Sequence, residues 1–83
     1  MRNYYTIDAL QRGEIVEFEG VRFRKAQGEL VVGDSYIAER NTGPQLLTVK
    51  SLHLDTSLCG GWVNPVETAY NYDLCECVKV EFA

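Results

Sequence analysis

Eighty-three residues, 46% of them apolar and 24% charged, are enough for one domain spanning residues 1–83 and too apolar for a disordered chain. A chain this short buries only about 60–65% of the surface its unfolded form exposes, so its margin of stability is thin. The net charge of −4 argues against nucleic-acid binding, which draws on Lys and Arg. No apolar run approaches the roughly 20 residues that span a bilayer.

The start, MRNYYTIDALQRG, lacks an apolar leader core and carries Asp8, so a cytoplasmic location is expected. Thr6 is a candidate N-cap, Asp8 suits the first turn, and Gly13 suits the C′ position, which predicts a short helix over about residues 7–12. In EIVEFEGVRFRK, Val16 and Phe18 alternate with Glu17 and Glu19. Beyond Glu19-Gly20, Val21 and Phe23 alternate with Arg22 and Arg24. Period-2 patterning across a two-residue turn with glycine predicts a β-hairpin, with Glu17 and Glu19 facing Arg22 and Arg24.

Further strand-like runs follow at 29–32, 35–40, 45–54, 61–63, 67–72 and 75–82, punctuated by Gly28, Gly33-Asp34, Asn41-Thr42-Gly43-Pro44, Cys59-Gly60-Gly61 and Asn64-Pro65. The pattern predicts an all-β domain: a small barrel or sandwich of about five to seven short antiparallel strands with one short N-terminal helix. Several strands are apolar on both sides, because Ile15, Val31, Ile37 and Leu46 adjoin core-facing residues. Either Tyr4, Tyr5, Ile7 and Leu10 fold over that second face, or it is an oligomer interface, in which case a homodimer is expected.

The three cysteines, Cys59, Cys75 and Cys77, are odd in number and suit reduced thiols. With His53 they also match the ligand count of a Cys3His zinc site, although no C-x2-C spacing occurs. Reduced structural thiols are the expected state, with no cofactor. Glu76 falls on the inward parity between the two later cysteines and predicts a local irregularity there. His53, the single histidine, lies in the alternating run LTVKSLHL with no nucleophile motif around it, so an enzyme is not expected.

Charge is divided unevenly. Residues 1–50 carry seven basic and seven acidic side chains, whereas the last third carries Asp55, Glu67, Asp73, Glu76 and Glu81 against Lys79. Trp62, Tyr70 and Tyr72 lie in the same third. Acids interleaved with aromatic anchors suit a partner protein with a basic surface, which makes Trp62, Glu67, Tyr70, Tyr72, Asp73 and Glu76 the candidate partner-binding residues. A second set, Arg22, Arg24, Arg40 and Tyr36, would serve a small-molecule or nucleotide-binding oligomer, or a nucleic-acid-binding barrel.

The stretch TIDALQRGEIVEFEGVRFRK resembles the opening of SH3-like small barrels: a short helix, then a strand, a tight turn and a strand. In its small, acidic, one-domain character the chain is also similar to phage-encoded inhibitors of host defence such as anti-CRISPR proteins. That resemblance implies non-catalytic action in a host cytoplasm, an acidic face covering a basic surface of a host protein.

Overall fold

The computed structural model describes residues 4–83. One helix, α1 (Tyr5–Gln11), precedes seven strands: β1 (Val16–Phe18), β2 (Val21–Lys25), β3 (Ser35–Arg40), β4 (Gly43–Leu54), β5 (Gly61–Pro65), β6 (Tyr72–Asp73) and β7 (Cys77–Phe82). A 3-10 turn, Leu74–Glu76, separates β6 from β7. The strands form one antiparallel sheet in the order β1-β2-β7-β3-β4-β5-β6, the all-β architecture expected.

The first hairpin follows the sequence pattern closely. Val16 pairs with Phe23, Glu17 with Arg22 and Phe18 with Val21. Glu19 and Gly20 both have positive φ, 52° and 80°, as a two-residue primed turn requires. Glu19 is therefore a turn residue and does not face Arg24. Arg24 pairs instead with Glu81 of β7, with Nη2 and Oε2 2.7 Å apart.

The two-sided strands are explained by α1. Along β3, Tyr36 and Ala38 face one core with Leu47, Val49, Val63, Tyr72 and Cys77. Ile37 faces the other, where Ile7 and Leu10 of the helix pack on Phe23, Val78 and Val80. Leu46 packs against that second cluster from β4. Ile37 and Leu46 are thus covered by the chain's own N-terminal segment, and completely burying a side chain such as Ile37 stabilises the fold by about 1.5–3 kcal/mol. Ile15 and Val31 are exposed, on the segment before β1 and on the loop before β3. The four residues expected to form an oligomer interface do not share a surface.

The helix spans Tyr5–Gln11 rather than 7–12, and Thr6 lies inside it instead of capping it. The capping acceptor comes from β3: Glu39 Oε1 accepts the backbone N–H of Thr6 at 2.9 Å and of Ile7 at 3.2 Å. Glu39 is only 3% exposed and shares the Ile37 side of its strand, so a buried carboxylate meets the positive end of the helix. At the other end Gly13, with φ 86°, occupies C′ as expected. Gly13 N–H donates to the Leu10 carbonyl and Glu14 N–H to that of Ala9, which makes a Schellman motif.

Two predicted strands are loops. In 29–32, Asp34 folds the chain into a turn by accepting the Val31 N–H on Oδ2 at 2.9 Å, and its own N–H donates to the Val31 carbonyl. In 67–72, Glu67 bonds Thr48 twice, accepting its N–H and its hydroxyl at 2.8 Å each, and only Tyr72 joins a ladder. The cysteines also differ from expectation. Cys59 and Cys75 form a disulfide, so the three thiols are not all reduced, while Cys77 is free and buried.

Candidate functional site

The residues of the last third converge where β5, β6 and the 3-10 turn meet the end of β3. Tyr4, Arg40, Asn41, Thr42, Gln45, Tyr70, Tyr72, Asp73 and Glu76 line an open groove of about 680 Å³. Four of the six candidate partner-binding residues, Tyr70, Tyr72, Asp73 and Glu76, are among them. A fifth, Trp62, stands directly opposite Asp73 in the β5–β6 ladder, and directly opposed residues share a face. Glu67 lies apart, engaged on Thr48.

Glu76 organises the groove floor. Its carboxylate is buried and accepts Arg40 Nε at 3.1 and 3.2 Å, Arg40 Nη2 at 3.1 Å, and the Asp73 N–H at 3.0 Å. The Tyr4 hydroxyl donates to its other side at 3.4 Å. Burial pushes this carboxyl up, but the Arg40 bonds, with the Asp73 amide and Tyr4, outweigh it and hold Glu76 below the ordinary carboxylate range. Arg40 is raised in turn, first by its hydrogen bonds to Glu76. The guanidinium also lies 4.4 Å from the centroid of Tyr72, and its Nη2 donates to the Asn71 carbonyl at 2.8 Å. One cation therefore ties β3 to the 3-10 turn and to the loop before β6. The irregularity predicted at Glu76 is this turn, whose capping residue, Asp73, is drawn in by the glutamate.

The groove walls differ in character. Tyr72 is buried, and its hydroxyl donates to Gln45 Oε1 at 3.4 Å. Tyr70 is 73% exposed and projects from the rim. On the outer face of β4, β5 and β6, His53, Trp62 and Asp73 stand in one row. The His53 and Trp62 rings stack with centroids 3.9 Å apart. This row adjoins the groove through Asp73, which also lines it beside Tyr70.

The second candidate set is dispersed. Arg22 faces Glu17 across the first hairpin, Arg24 pairs with Glu81, and Arg40 is engaged with Glu76. Tyr36 is fully buried, its hydroxyl pushed well above the ordinary tyrosine range by that burial. The four do not form one ligand surface. The Cys3His set is dispersed as well. Cys59 is bonded to Cys75, His53 lies on Trp62, and Cys77 sits in the core, its Sγ donating to the Asp73 carbonyl at 3.3 Å and its thiol pushed up to about 12 by burial.

Asn41, Thr42 and Gln45 complete the groove without being candidate residues in the sequence, where Asn41 and Thr42 read as a turn and Gln45 as the first residue of a strand. The Arg40–Glu76 pair was equally hidden, although each residue was a candidate in a different set. No described helix is long and apolar enough to cross a membrane. Compared with protein-family models, curated proteins and solved structures, the chain matches none.

Proposed function

We propose that the protein is a non-catalytic protein-binding module whose Trp62–Asp73–Tyr70 face takes a basic segment of a partner and occludes it. The observation that carries this reading is the meeting of Tyr70, Tyr72 and Asp73 in one groove, with Trp62 directly opposite Asp73 on the outer face of the adjoining strand. Tyrosine and tryptophan provide large contact area at low entropic cost, and a carboxylate beside them suits a lysine or arginine side chain. The groove needs little reordering on binding, because Arg40, Glu76 and the disulfide already tie its segments together.

The test is a titration of isotope-labelled protein with short arginine- and lysine-rich peptides, followed by NMR. Expected are shifts at the Trp62 indole, Tyr70 and Asp73, weakening as salt rises. Tyr70→Ala should reduce affinity by about thirtyfold, the equivalent of a 2 kcal/mol anchor. Shifts centred on Arg22 and Arg24, or a Tyr70→Ala variant that binds as well as the parent, would overturn the assignment.

A further inference from the structure

The disulfide joins two segments that also bring a carboxylate to the sulfurs. Cys59 belongs to the β4–β5 turn, Cys75 to the 3-10 turn, and Asp73 ends β6. Their two sulfurs and an Asp73 carboxylate oxygen all lie within 4.8 Å of one another. We propose that, once the disulfide is reduced, Cys59, Cys75 and Asp73 form a zinc-class metal site with its fourth position open to water.

The chemistry of the donors selects the ion. Two thiolates favour a soft or borderline cation over calcium or magnesium, and a carboxylate is an accepted third ligand for Zn²⁺. Tetrahedral coordination at Zn–S distances of about 2.3 Å places two sulfurs roughly 3.8 Å apart. The two Cα atoms are 5.1 Å apart, so rotation about the side-chain bonds can open the sulfurs to that spacing without moving the backbone. Both supporting segments are held in place. The Asp55 N–H donates to the Gly60 carbonyl and the Gly60 N–H to that of Ser57, while Glu76 fixes the other side through the Asp73 amide. Cys75 and Asp73 are exposed and Cys59 half-buried, so an ion has a path to the site.

The remaining candidates for a fourth ligand are engaged elsewhere. The Cys77 thiol is in the core, and the His53 ring is stacked on Trp62. Formation of the site balances as two steps. A dithiol reductant delivers two electrons and two protons to the Sγ–Sγ bond and leaves as its own cyclic disulfide. The metal then displaces the two thiol protons. The oxidised chain has no thiolate to offer and binds no metal there, so the same two cysteines make a covalent staple or a metal staple according to the redox state around them.

Cobalt(II) is the probe. Protein reduced with dithiothreitol and desalted without air should take up one equivalent, developing a thiolate-to-cobalt charge-transfer band that Zn²⁺ abolishes, while oxidised protein shows none. Cys77→Ala should leave the band unchanged, and Cys59→Ser and Cys75→Ser should each remove about half of its intensity or more. Because those two changes also remove the disulfide, Asp73→Asn provides a second test with both cysteines intact. It should keep the thiolate band but weaken Co²⁺ affinity roughly tenfold or more, a loss of the size seen even for supporting groups around metal ligands. A folded, reduced protein without the band, a band lost with Cys77, or reduced protein that stays unfolded in the presence of metal would each overturn the proposal. An Asp73→Asn variant of unchanged affinity would remove the carboxylate from the site.

Discussion

Arg40→Met strands a buried carboxylate, and its cost follows from the asymmetry of the pair. The Glu76 side chain is 6% exposed and that of Arg40 is 40% exposed. Removing the arginine leaves a nearly buried anion with the Asp73 amide and Tyr4 hydroxyl as its remaining donors. Breaking a buried ion pair from one side costs about 3–5 kcal/mol, and the exposure of Arg40 places this case near the low end, about 3 kcal/mol. For a domain of this size that lowers the melting temperature by roughly 12–24 °C. The cost should depend on pH. In the parent, Glu76 titrates below its unfolded value, so its stabilisation is present above the ordinary carboxylate range and is lost as pH falls through the lowered folded value. In the variant, burial raises the folded value, so the penalty stands at neutral pH and is relieved as Glu76 takes up a proton. The gap between parent and variant must therefore narrow on acidification. Urea unfolding followed by circular dichroism at neutral and mildly acidic pH measures it. A neutral-pH cost under about 1 kcal/mol, or a gap that widens with acid, refutes the reasoning. The double variant Arg40→Met/Glu76→Gln should recover part of the loss, because it leaves no stranded charge.

Glu39→Ala should cost about 2–3 kcal/mol by leaving the Thr6 and Ile7 amides without their acceptor, and amide hydrogen exchange at those two positions should accelerate beyond that of the sheet. Glu19→Asn should stabilise by about 0.5–1 kcal/mol in thermal melts, since asparagine tolerates the positive φ of the first hairpin turn better than glutamate. Gly61→Ala should destabilise severely, by about 3 kcal/mol or more. Its φ is 129° and an added Cβ would fall on the His53 carbonyl in the paired strand, so failure to accumulate soluble protein is the expected result in an expression test.

Legibility in the sequence tracked the range of the interactions involved. The first hairpin could be read because its alternation and its turn residues are adjacent in the chain. The run 35–40 became β3 with the bounds expected, since Gly33-Asp34 and Asn41-Thr42 bracket it. Local pattern failed where one side chain reached across the fold. Glu67 draws the 67–72 segment onto Thr48, 19 residues away, and a strand-like composition becomes a loop. Glu39 caps the helix from more than 30 residues away, so the helix starts before Thr6 and the local capping signal at Thr6 misplaced its N-terminus. The groove divides in the same manner. Its aromatics and acids were visible as a compositional cluster, whereas Arg40, 36 residues from Glu76, could be assigned to it only after β3 and the 3-10 turn were side by side. The disulfide was hidden for a different reason, because an odd cysteine count gives no indication of which thiol the core will bury.

The position of the charges changes how the acidic last third must be tested. Three of its five acids are already committed within the molecule: Glu67 to Thr48, Glu76 to Arg40 and Glu81 to Arg24. Their charges contribute to the net −4 but are locally neutralised or hydrogen-bonded, so they contribute little to the field a partner meets. Asp73 makes no ion pair of that kind, although its carboxylate caps the 3-10 turn and feels the Arg40 charge, and Asp55 is held by Ser57 within its own turn. Substitutions at Asp73 and Glu76 should therefore separate. Asp73→Asn keeps a good capping residue before the 3-10 turn and should leave stability within about 0.5 kcal/mol. On the proposed reading it slows association with a basic peptide at low salt, with the difference fading as ionic strength rises. Glu76→Gln should instead lower stability while leaving the salt dependence of association near that of the parent, measured on the fraction that remains folded. If Asp73→Asn associates as fast as the parent at low salt, the acidic groove is a product of folding requirements and partner recognition must be sought elsewhere on the surface.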